Sequence, residues 1–166
     1  MVSLSMKMDK AQAREICVRA IENGTALAKL KEWIAAQGGD ADYISHPEKF
    51  PVSAHVCEIR AREDGFISKM DTEEIGICAC DLGAGRVSKE DEIDHSAGII
   101  ILKKTGDKIA AGEVIAVLHT NRENAITAVE ERYLRALTVS DRAPEAAPVI
   151  YGIVRMSDSG VPTLTK

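Results

Sequence analysis

Two hydrophobic periods divide the chain. Behind Asp9, a residue able to cap a helix, Ala13, Ile16, Ala20 and Ile21 recur at helical spacing, and Gly24 is placed to end the run. Leu27, Leu30, Trp33 and Ile34 make a second stripe, started by Thr25 or a neighbour and stopped by "GG" at 38 and 39. The spacing predicts an αα-hairpin with a very short connection and a buried stripe on its second helix. "DADYISHPEKFP" follows with two prolines and neither period, and reads as a loop.

Beyond it the period shortens to two. Cys57, Ile59 and Ala61 alternate with Glu58, Arg60 and Arg62, the pattern of a half-buried strand; "EDG" supplies a turn, and Phe66 to Met70 continues as a second strand. Asp71 with Glu74 forms a capping box before Ile75, Cys78, Ala79 and Leu82, a short helix that "GAG" at 83–85 would stop. Ile99–Leu102 and Val114–Leu118 are continuous apolar runs, expected as strands covered on both faces. Thr120 with Glu123 suggests another capping box, and Ile126, Val129, Tyr133 and Leu137 sustain one helical stripe behind it. "PVIYGIV" at 148–154 reads as a terminal strand and "RMSDSGVPTLTK" as a loose tail. The predicted fold class is α+β. A helical segment with its linker loop occupies 1–53, a β-rich, barrel-sandwich-like module with short helices occupies 54–154, and a flexible tail occupies 155–166.

Composition narrows the function classes. A chain of 166 residues, 45% hydrophobic and 28% charged, can fold as one ordinary domain or two small ones. The net charge of −5, with scattered lysines and arginines, offers no basic stripe for phosphate backbones, and 4% aromatics offer no stacking platform, so nucleic acid is not an expected partner. No apolar run approaches the ~20 residues that span a bilayer, and the N-terminus has no signal-peptide core. A membrane partner is not expected, and the chain reads as cytoplasmic. Cys17, Cys57, Cys78 and Cys80 show neither disulfide-framework nor zinc spacing and read as reduced, packed thiols.

Candidate chemistry is thin. Asp94-His95-Ser96 contains the residue types of a triad, but adjacent residues point in different directions and cannot line up as orienter, base and nucleophile. His119 ends a buried strand, where a hydrogen-bonded structural histidine is expected; His46 and His55 flank the proline loop without a carboxylate or cysteine partner at ligand spacing. Cys78 and Cys80 stand two apart on a predicted helix and face different ways. "DLGAGR" lacks the lysine of a phosphate loop and falls at a helix end, so it reads as a C-cap with Arg86 free to make an ion pair.

In "KKTGDKIAAGEVIAVLHTN" two glycine turns, at Gly106 and Gly112, flank a very short strand, with Asp107 bonding its own turn and Ile109 pointing inward. The stretch resembles the hairpin rhythm of biotinyl and lipoyl carrier domains. Those carriers present a modifiable lysine at an exposed tip, whereas the nearest counterpart here is Lys69, followed by Met70 before a helix cap. An unmodified carrier relative or an interaction module is the alternative reading.

Read in order, "NGTALAKLKEWIAAQGGD", "DGFISKMDTEEIG", "LGAGR", "IDHSAGI", "KKTGDKIAAGEVIAVLHTN" and "APEAAPVIYGIV" resemble the C-terminal part of the pyrimidine-nucleoside phosphorylase and thymidine phosphorylase family, over residues 8–154. The resemblance implies homodimeric pentosyltransferases that split pyrimidine nucleosides with inorganic phosphate as co-substrate, giving base and (deoxy)ribose 1-phosphate. It also implies that the phosphate-binding, pyrimidine-holding and active-site residues belong to upstream segments. No catalytic, substrate-binding, cofactor or metal residue carries over to this chain. The expected partner is therefore the remainder of a phosphorylase, with this portion supporting its α/β domain and without phosphorolysis of its own.

Overall fold

A computed structural model describes residues 1–86, 88–146, 148, 150–157, 160 and 162–165, for Thr165 the backbone only. The chain divides into two compact units, Met1–Pro51 and Val52–Lys166.

The first unit is helical: α1 (Val2–Ser5), α2 (Lys10–Glu22), α3 (Thr25–Ala36) and α4 (Asp42–Ser45), then a 3-10 turn at Pro47–Lys49. Asp9 caps α2 by accepting from the Ala11 amide, and Gly24, at φ +77°, makes the tight passage into α3. The αα-hairpin is as predicted; the buried stripe is not. Trp33 is 60% exposed and Leu27 49%, Ile34 is half-buried, and Ala13 alone is buried among residues 1–51. Two helices form a single layer, and an apolar stripe needs a second layer to cover it. The proline loop also holds more order than its composition suggested, in α4 and the 3-10 turn.

The second unit closes on itself. β5 (Val114–Thr120) is the centre of one three-stranded sheet, antiparallel to β1 (His55–Arg60) and to β3 (Gly98–Ile101). β2 (Gly65–Met70) is the centre of the other, between β4 (Lys108–Ile109) and β6 (Leu137–Ser140). Backbone bonds prolong the β1–β5 pairing beyond the strand ends: the Ala61 amide donates to the Glu113 carbonyl at 2.9 Å and the Gly112 amide to the Ala61 carbonyl at 2.8 Å. α5 (Thr72–Ala79) and α6 (Ile126–Arg135) pack on the same core, which contains Ile59, Ile67, Leu82, Ile115, Leu118, Val129 and Tyr133.

The glycine turns of the 103–121 stretch form as read. Gly106 and Gly112 take φ of +97° and +82°, Asp107 accepts from the Lys104 amide, Glu113 accepts from the Ala110 amide, and Ile109 is buried between the turns. Asp71 caps α5 through the Glu74 amide.

Several boundaries differ from expectation. β3 is an edge strand, paired only with β5, so Ile100 and Ile101 are half exposed rather than covered on both faces. Thr120 is the last residue of β5, not a helix cap; a 3-10 turn at Glu123–Ala125 intervenes, and α6 starts at Ile126. Leu137, read as the last residue of the helical stripe, opens β6. The terminal strand lies at β7 (Ile153–Met156), not 148–154, and pairs antiparallel with β8 (Pro162–Thr165) inside the stretch read as a tail. Val149 of the first stretch and Asp158, Ser159, Val161 and Lys166 of the second lie outside the described residues.

Tyr133 is fully buried, and its hydroxyl has no hydrogen-bond partner among the described residues; burial pushes the phenol up to about 12. Stranding a polar group in a core costs about 1–3 kcal/mol. Tyr133→Phe, which keeps the ring and removes the hydroxyl, is expected to raise stability by about 1 kcal/mol, read from the urea midpoint at unchanged m. A destabilised variant would mean that the hydroxyl is satisfied.

Candidate functional site

At its C-terminal end β5 delivers Thr120, and Asn121 and Arg122 follow directly. Each reaches a different partner. The Thr120 hydroxyl, wholly buried, donates to the Leu82 carbonyl at 2.7 Å and accepts from the Arg122 amide at 2.9 Å. Asn121 Oδ1 accepts from the Ala54 amide at 2.7 Å, while its Nδ2 donates to Asp94 Oδ2 at 2.8 Å and to Ser96 Oγ at 3.1 Å. Arg122 Nη1 donates to the Asp81 carbonyl at 3.3 Å.

The segment so held is the "DLGAGR" stretch and the turn after it. After α5 the chain loosens into a π turn, Cys80–Ala84, in which Gly83 adopts φ +113°. A side chain there would be strained by φ, and its Cβ would come within 3.3 Å of Asp94 Cβ and 3.5 Å of Arg122 Nε. The Gly83 carbonyl accepts from the Asp94 amide at 2.9 Å. Asp94 in turn accepts from the Ser96 hydroxyl and amide at 2.7 and 2.9 Å, and these bonds hold its carboxyl below the usual aspartate value.

Asp94 and Ser96 therefore meet, but as a turn. His95 is exposed and takes no part in their bonds. His119 Nε2 is buried without a partner among the described residues, which corrects the expected hydrogen-bonded role. His46, read as lacking a carboxylate, lies 3.1 Å from Glu48 and 3.6 Å from Asp42 on an exposed surface. Cys78 is buried, its thiol pushed up by desolvation, whereas Cys17, expected to be packed, is exposed. Lys69 sits in the body of β2 opposite Thr138, not at a hairpin tip. Among the described residues no group of three or more metal-ligating side chains comes together, and no helix is long and apolar enough to cross a membrane.

A second charged feature lies along α5 and α6. Arg132 binds Glu74 at 2.6 Å and Asp81 at 3.3 Å beside an open cleft of about 580 Å³ whose other charged walls are Asp71 and Arg135. Glu74 raises the guanidinium's proton affinity further. Three carboxylates against two guanidiniums leave no surplus positive charge for a phosphate. Asn121, the centre of the polar clasp, has no local signal in the sequence, because its partners lie 27 and 67 positions away.

Residues 66–140 match the family described as pyrimidine nucleoside phosphorylase C-terminal domain. Residues 66–140 thus carry the C-terminal domain of the pyrimidine-nucleoside phosphorylase family. The pyrimidine-nucleoside phosphorylases of Staphylococcus aureus strains bovine RF122 / ET3-1 and USA300 are each 37% identical over 142 residues, which is 85% of this chain. The chain spans 33% of the length of these curated phosphorylases. The match to the phosphorylase domain begins at Phe66 in β2 and ends at Ser140 in β6, so it takes in the whole clasp except Ala54.

Two outcomes test the clasp. Thr120→Val is expected to lower stability by about 1–3 kcal/mol in denaturant titration, because it strands the Leu82 carbonyl and the Arg122 amide. A neutral result would mean that water replaces the hydroxyl. Asp94, with a depressed folded pKa, contributes stability that is full above the unfolded value and lost as pH falls through the folded one. Removing its charge in Asp94→Asn should flatten the acid limb of the stability profile below the usual aspartate value. An acid limb identical to the parent's would assign that proton uptake to other carboxylates.

Proposed function

We propose that this chain is a non-catalytic, positioning portion of a pyrimidine-nucleoside phosphorylase. Its β module, read as a barrel-sandwich-like body, stiffens the part of the enzyme that moves as the substrates are enclosed. The enzyme so completed cleaves uridine or thymidine with inorganic phosphate in the cytoplasm, as a homodimer, using phosphate- and base-binding groups outside this chain. One observation carries the reading: the β module has a continuous buried core, although β3 and the β7–β8 hairpin keep apolar side chains exposed, while the helical unit buries Ala13 alone and the stripe of α3 stands open at Leu27, Leu30 and Trp33. An apolar stripe left open on a helical layer is what a piece of a larger α/β body presents, and the chain spans 33% of the length of the curated phosphorylases.

Trp33 is the sole tryptophan of the sequence and reports the covering directly. The chain alone, given uridine or thymidine with phosphate, is expected to release no base. Adding the separately produced remainder of a Staphylococcus aureus phosphorylase should shift Trp33 emission to the blue and restore phosphorolysis. Trp33→Ala should weaken that association by about 2 kcal/mol, roughly thirtyfold. Base release by the chain alone would sink the proposal, as would an emission spectrum unmoved by the remainder.

A further inference from the structure

We infer that Asn121 is a positioning residue that sets two segments by one side chain: the entry of the polypeptide into the β module at Ala54, and the turn at Asp94–Ala97 that holds the glycine-rich stretch. The amide group is used from both ends. Its oxygen accepts from the Ala54 amide, and its nitrogen donates to Asp94 and Ser96, so a rotation of the Asn121 amide plane that improves one set of bonds degrades the other. Ala54 is exposed and immediately precedes β1, whose first residue, His55, pairs with Thr120, next to Asn121. The turn is held by the Asp94 amide on the Gly83 carbonyl and by Asn121, and it runs directly into β3, whose Gly98 pairs with His119 of β5.

Asn121 is itself fixed from behind. Thr120 is buried and bonded to Leu82, and Arg122 reaches Asp81, so the peptide on each side is pinned to the same π turn that Asp94 closes upon. Displacement of the Asp94 turn thus moves the Asn121 side chain rather than its backbone. The consequence is transmitted to Ala54, where the chain arrives from the preceding helical unit. This coupling does not rest on the phosphorylase reading.

Amide hydrogen exchange on the full chain tests it by cross-effects. The Ala54 amide does not touch Asp94, and the Ser96 amide does not touch Asn121. In Asp94→Ala, exchange at Ala54 is expected to speed up at least about fivefold relative to the Leu118 amide in the centre of the sheet; in Asn121→Ala, exchange at Ser96 should speed up by a similar factor. If each substitution frees only the amide that it directly contacts, the two segments are independent and the inference is wrong.

Discussion

β5 is hydrogen-bonded along both edges, to β1 over His55–Arg60 and to β3 over Gly98–Ile101, and its buried side chains include Ile115, Ala116, Leu118 and Thr120. A strand in that position cannot shift by one residue without turning Ala116, Leu118 and Thr120, which share one face, out of the core, so its register is fixed from inside. The second sheet packs on the same core through Ile67 and Ile109, and backbone bonds of Ile67 with Asp107 and Gly106 prolong its β2–β4 pairing. α6 follows within a few residues of the strand's end and lays Val129 and Tyr133 back over the same core. Polar order at the end of β5 is inherited from this apolar order. Thr120, Asn121 and Arg122 can reach Leu82, Asp94, Ala54 and Asp81 because the strand that carries them has one allowed position.

The contrast between the two units follows from the same physics. In the second unit, two sheets and two helices enclose one set of side chains, and nine-tenths or more of each core residue is removed from water. In the first unit, α2 and α3 meet along a narrow seam, with Ala13 buried while Ile21 and Trp33 face solvent. Short helices draw most of their stability from the face they bury, and this pair buries little.

Much of this was legible in the sequence wherever structure is decided by near neighbours. The caps at Asp9 and Asp71, the turns at Gly106 and Gly112 and the inward Ile109 depend on residues a few positions apart. Burial depends on the whole assembly, and there the pattern misled. An apolar stripe on α3 signals a face that requires a cover, not that the cover is present, and the apolar run at Ile99–Leu102 could not announce that β3 lies at an edge. Thr120 satisfied the local grammar of a helix cap, yet its hydroxyl is taken by Leu82, 38 positions away. Asn121 was invisible for the same reason. The family resemblance succeeded because it reads blocks in order, which preserves long-range information that spacing alone discards.

The central claim is that one chain holds a β body with a continuous buried core and a helical layer without one. Native-state hydrogen exchange of the intact 166-residue chain measures this most directly, by comparing Ile67 and Leu118 with the backbone-bonded amides of α2 and α3. The account predicts that Ile67 and Leu118 fall in the slowest class and that the helical amides exchange at least about a hundredfold faster, through local opening that leaves the β module intact. Equal protection across both units, lost together in a single transition, would contradict it.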